Sequence, residues 1–210
     1  MFNFMKKKNV KFSVLLVSIL SLIGYCYMGY MRQSAESIFA VFPLLAVGIT
    51  PILGSYVDHK GKAATMLILG ALLLISCHLT FAFVLPAFKG NAIGGVVVAY
   101  LTILVLGASF SLVPASLWPS VPKLVDPKII GSAYALIFWI QNIGLWLFPL
   151  VIGKVLDNSN VGITDPTKYD YTNPLLMLAG LGVAALVIGF ILKIVDKKKG
   201  LGLEEPNIKA

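Results

Sequence analysis

The chain has 210 residues, a mean hydropathy of +0.90, 58% apolar residues and only 12% charged ones. A soluble domain carries about 25% charged residues, so this composition excludes an ordinary water-soluble fold and points to lipid. The net charge of +8 does not read as nucleic-acid binding, because the cations flank apolar runs and no basic stripe interleaved with aromatics is present.

A membrane-crossing helix needs about 20 mostly apolar residues, and the sequence predicts six such segments. Backbone in hydrocarbon must satisfy its own hydrogen bonds, so the segments are helices. The alternating ten-residue strands of a barrel are absent. The first segment, 12–30, follows Lys6, Lys7, Lys8 and Lys11. A secretory signal peptide also begins this way. However, no small-x-small cleavage site follows, and Tyr25, Tyr27 and Tyr30 would crowd one. An uncleaved span after a short cytoplasmic N-terminus, 1–11, is expected. The second segment, 34–56, is interrupted by Pro43, Gly48 and Pro51. Glu36 at its outer start suits the positive end of the helix dipole.

Between the second and third segments stands Gly54-Ser55-Tyr56-Val57-Asp58-His59-Lys60-Gly61-Lys62. An acidic residue, two glycines and several cations between membrane-length runs predict a tight turn. The Asp58 carboxylate can accept backbone N–H groups at a neighbouring helix N-terminus. Lys60 and Lys62 can pair with it or with lipid phosphate, and Gly54 can let helices approach closely. The alternative is a plain turn with a solvated Asp58.

The third segment, 63–85, holds Cys77 and His78. Cys26 and Cys77 both lie inside apolar runs and read as small buried hydrophobes, not as a disulfide framework. An intramembrane histidine is a functional candidate; the alternative is a neutral ring bonded to Ser76 or to a backbone carbonyl. The fourth segment, 92–121, collects small residues from Gly107 to Ser116 and is expected to break late, at Pro114, Pro119 and Pro122. Broken membrane helices are tolerated where the freed backbone is buried or lines a cavity. Trp118 can wall such a cavity, or belong to the interfacial aromatic belt. The fifth segment, 131–153, carries Gln141 and Asn142 near its middle. Amides at that depth need a partner, either a solute in an aqueous path or a neighbouring helix. The sixth segment, 173–193, leads into a basic tail, 194–210.

Orientation follows from charge. If 1–11 is cytoplasmic, so are 57–62, 122–130 and 193–210. That side then holds thirteen Lys, and the other side holds only Arg32, Lys89, Lys154 and Lys168. This is a strong positive-inside bias and places both termini in the cytoplasm.

The turn at 54–62 resembles the Gly-x-x-x-Asp-x-x-Gly-Lys/Arg signature of the major facilitator superfamily. Ser116-Leu117-Trp118-Pro119-Ser120-Val121-Pro122, Gly131-Ser132-Ala133-Tyr134-Ala135 and Ile140-Gln141-Asn142-Ile143-Gly144-Leu145 resemble the same family. The likeness is to its lysosomal dipeptide uniporter branch and the bacterial relatives of that branch, and covers about residues 31–209. It implies an all-α membrane protein whose six transmembrane helices form a 3+3 inverted repeat, one half of the family fold. It also implies a gating motif at Gly54, Asp58, Gly61 and Lys62; the candidate substrate contacts, read from the residues themselves, are Ser116, Trp118, Gln141 and Asn142. The expected location is a bacterial inner membrane. The link 31–33 is short for the family, so residues 1–30 inherit little from the resemblance.

The expected function is transport of a small polar organic solute, such as a dipeptide, by alternating access. The chain would be the C-terminal half of a carrier and incomplete without an N-terminal half. The alternative is a non-transporting membrane subunit that binds a membrane partner through small residues such as Gly94, Gly95, Ala99 and Gly107. Expected partners are membrane lipid, a small solute and the other half or another membrane protein, with no nucleic acid. No enzyme is expected, since the chain lacks a nucleophile elbow, a His-Glu-x-x-His pair and a P-loop. No cofactor is expected, and two separated His and two separated Cys do not predict a metal site.

Overall fold

The computed structural model describes residues 35–208 except 89. The predicted first span, 12–30, lies outside the described residues. Five long helices follow: α1 (Ala35–Lys60), α2 (Ala63–Leu79), α3 (Ala92–Leu124), α4 (Ile130–Ser159) and α5 (Thr172–Lys199). A π turn, Thr80–Val84, and a short helix, Leu85–Ala87, extend α2. Each of the five is long and apolar enough to cross a bilayer. No strand occurs among the described residues.

The prolines of α3 do not break it, contrary to the expectation from sequence. Pro114, Pro119 and Pro122 all lie inside one continuous α-helix, as do Pro43 and Pro51 inside α1. A proline removes the N–H that would bond to the carbonyl four residues earlier. At Pro122 that carbonyl belongs to Trp118, and the Tyr134 hydroxyl of α4 donates to it at 2.9 Å. A side chain from a neighbouring helix thus takes the place of the missing amide, which is how proline is accommodated in membrane helices.

The core lies where α2 packs between α3 and α5, with α1 packed against α3. Close approach is made at small residues. A Cβ on Gly107 of α3 would stand 2.8 Å from Leu45 Cδ2, and one on Gly182 of α5 would stand 2.8 Å from Ile75 Cγ1. Ser109 Oγ donates across to Gly70 O at 2.8 Å. Such small-residue seams are how helices associate where lipid offers no hydrophobic drive. At Gly54, by contrast, no described atom would come within 4 Å of an added Cβ, so none of the described helices approaches closely there. Gly107 and Ala99 are part of internal packing rather than a free face.

Helix α4 stands apart. It touches α3 and α5 sparsely, and none of its residues is buried. Helix ends alternate between two faces. One gathers the 54–62 turn, the end of α3 and the segment after α5. The other carries the loop 160–171, pinned by Asn160, whose side chain pairs with the backbone of Asp170 in both directions. In that loop the Thr167 hydroxyl and amide both donate to Asp165 and hold its carboxyl below its ordinary range.

Candidate functional site

Two clusters carry the polar chemistry. The first joins α3 to α4. Trp118 stacks on Phe138, ring centroids 5.0 Å apart, and lies 5.8 Å from the ring of Tyr134. Tyr134, Phe138 and Asn142 recur every four residues, so they share one face of α4. Asn142 Nδ2 donates to Phe138 O at 2.7 Å, which leaves its side-chain oxygen as an acceptor. Gln141, on the adjoining position, is exposed, as is Asn142. An aromatic platform and two amides therefore run along one unburied side of an apolar helix.

Ser116 is not brought into this cluster. It is 0% exposed, about 200° around α3 from Trp118, and its Oγ has no hydrogen-bond partner among the described residues. His78 Nδ1 lies 2.8 Å from Leu74 O, so its ring N–H donates to its own helix. No group of three metal-ligating side chains exists among the described residues. A groove of about 320 Å³ between α1, α2 and α3 is lined by Ile49, Leu53, Tyr56 and Leu112 among others. Its walls are almost wholly apolar and offer a polar solute nothing to bind.

The second cluster is the 54–62 turn. Gly61 has φ 73 and Lys62 has φ 65, so two successive residues are left-handed. Gly adopts this freely, whereas Lys does so at a cost of roughly 1–2 kcal/mol. The start of α2 has no side-chain cap from Lys62. Instead Glu204, from beyond α5, accepts Thr65 N at 2.9 Å and Thr65 Oγ1 at 2.7 Å. A carboxylate at this helix N-terminus was expected from Asp58, but the structure supplies it from Glu204. Asp58 is engaged elsewhere: its Oδ1 accepts from Asn207 Nδ2 at 2.8 Å. Gly61 is needed for space as well, since a Cβ would lie 2.5 Å from the carbonyl carbon and 2.7 Å from the oxygen of Glu205.

Sequence reasoning missed Glu204, Asn207 and Leu203, and gave no role to Tyr134 or Phe138. One signal was available: Leu203 is an apolar residue just past two glycines in a polar tail.

Five membrane-length helices packed through small-residue seams, with an amide-bearing face left open, define a multi-pass membrane protein. The chain is 29% identical over 129 residues to the cattle (Bos taurus) lysosomal dipeptide transporter MFSD1, which is 61% of this chain and 25% of the relative. The human counterpart is 27% identical over 130 residues, 62% of this chain and 26% of the relative. The zebrafish (Danio rerio) counterpart is 28% identical over 129 residues, 61% and 26% respectively. The chain spans about a quarter of the length of the curated relatives it matches. No family model and no solved structure matches it. Over about three fifths of its length the chain is thus similar to the MFSD1 transporters.

Proposed function

We propose that the chain is the C-terminal half of a carrier that moves small polar organic solutes of the dipeptide class across a membrane by alternating access. The observation that carries this reading is the exposed face of α4. It bears Phe138, on which Trp118 of α3 stacks, and the amides of Gln141 and Asn142, on a helix with no buried residue. The likeness to dipeptide transporters supports the substrate class. A dipeptide offers an amide, a carboxylate and an ammonium to Gln141 and Asn142, and its side chains to the aromatic rings.

Alternating access rocks one bundle against another around a shared site. The unburied face of α4 is where a second bundle would complete that site, whether on the same polypeptide or another. With the first predicted span, the helices would form the two inverted triplets of the family fold. The 54–62 turn, with Gly54, Asp58, Gly61 and Lys62, would serve the gate. In this reading the turn and tail face the cytoplasm, consistent with their lysines. The membrane would be a bacterial inner membrane, as the resemblance to bacterial carriers implies.

The test is uptake of labelled dipeptides into proteoliposomes holding the chain together with its other half. Asn142→Leu and Gln141→Leu are each expected to raise the half-saturating concentration about tenfold, the effect of losing a hydrogen bond to a charged solute. Trp118→Ala should do the same for dipeptides with large side chains. Uptake that is unchanged in all three variants would refute the site. A chain that binds its partner stably while the pair moves no solute would favour a non-transporting subunit.

A further inference from the structure

The segment after α5 is bound in place along its length. It leaves the helix through Gly200, left-handed at φ 62, whose N–H bonds to Asp196 O at 2.8 Å. It then crosses the ends of three other helices. Leu203 is only 1% exposed, and its N–H donates to Asp196 Oδ1 at 2.9 Å. The carbonyls of Glu204 and Leu203 accept the N–H groups of Lys62 and Ala63 at 3.0 and 3.1 Å. With the Glu204 carboxylate on Thr65 N, three of the four amides at the start of α2 are satisfied from this segment. Lys193 of α5 donates to Thr65 Oγ1 at 2.7 Å and stands 3.9 Å from Glu204 Oε2.

Helices α3 and α1 are held as well. Lys123 Nζ donates to Gly202 O at 2.9 Å and Glu205 O at 2.7 Å. The amides of Asn207 and Ile208 donate to Asp58 O at 3.0 and 2.9 Å, and the Asn207 side chain takes the Asp58 carboxylate. Four helix ends thus share one set of bonds. None of the bonds described here reaches α4.

We propose that residues 200–208 are a brace that locks the ends of α1, α2, α3 and α5 into one body, with Glu204 and Asn207 as positioning residues for the 54–62 turn. Resting on the carrier reading, the brace stays closed through the transport cycle, so that motion occurs between this body and what lies beyond it. The left-handed strain at Lys62 fits this role, since strained backbone persists where its surroundings over-determine it.

Two measurements test the brace. The first does not need transport: hydrogen exchange of the full chain in detergent. Glu204→Ala should speed exchange of the Thr65 amide tenfold or more, and Glu204→Gln, which keeps an acceptor oxygen, should restore most of the protection. The second is a reducible cross-link, Ala63→Cys with Leu203→Cys, in a chain whose Cys26 and Cys77 are replaced by Ala. The disulfide is expected to form in high yield, and the oxidised protein is expected to take up solute as fast as the same protein after reduction. Unchanged exchange in Glu204→Ala, a disulfide that fails to form, or uptake blocked by oxidation and restored by reductant would each overturn the brace. The last outcome would make the segment a latch that must open. If the unmodified carrier takes up nothing, the carrier reading fails, and exchange and disulfide yield decide the brace alone.

Discussion

The Tyr134 hydroxyl does work that a backbone amide does elsewhere. Pro122 has no N–H for the Trp118 carbonyl, and the phenol fills the vacancy from another helix. Tyr134→Phe should therefore cost about 1 kcal/mol of stability, the ordinary net value of a hydrogen bond. The same change in a Pro122→Ala background should cost clearly less, because an amide at 122 can then serve Trp118. A double-mutant cycle on unfolding in detergent measures the coupling; equal costs in both backgrounds would dissolve the assignment. Lys62 offers a second case. Lys62→Gly keeps the backbone N–H that Glu204 accepts and removes the left-handed penalty. After allowing for the greater freedom of glycine in the unfolded chain, it should stabilise by about 0.5–1 kcal/mol, read as a rise in the unfolding midpoint. At this scale the sequence was informative about which residues are unusual and uninformative about their partners. Trp118, Asn142 and Asp58 stood out by type and position. Phe138 and Asn207 did not, because an aromatic in an apolar helix and an asparagine in a tail carry no local mark of what they touch.

Among elements, the helices were legible because an apolar run of membrane length leaves few alternatives. Whether proline would break α3 was not legible. That depends on whether a neighbour can satisfy the freed carbonyl, and the neighbour was Tyr134, twelve residues after the proline. Glycine roles were equally hidden. Gly54 and Gly107 look alike in sequence, but among the described residues only Gly107 lies against another helix. Gly107→Val should push α1 from α3 and cost about 1–3 kcal/mol through overpacking. Gly54→Ala should be neutral or stabilise by up to about 1 kcal/mol through helix propensity. Thermal unfolding of the two variants side by side checks this. If both destabilise equally, the close contact at Gly107 is not what decides the cost.

For the whole molecule, charge asymmetry was the strongest guide. The structure brings the 54–62 turn, Lys123 and the segment after α5 to one end of the bundle, a grouping that the lysine distribution alone had suggested. Single cysteines at 60 and 89, in a chain without Cys26 and Cys77, should differ in intact cells. Position 89 should react with an impermeant thiol reagent from outside, and position 60 only after lysis. The reverse pattern would invert the topology. What no linear reading offered was the position of α4, because its apolar sequence looks like that of its neighbours although none of its residues is buried.

The capping of α2 by Glu204 also bears on how the protein is made. Residues 62 and 204 are far apart in the chain, and synthesis proceeds from the N-terminus at about 5–20 residues per second. The first turn of α2 enters the bilayer well before its carboxylate partner exists. For those seconds the Lys62, Ala63 and Thr65 amides lack the partners they have in the folded chain, until residues 203 and 204 have left the ribosome.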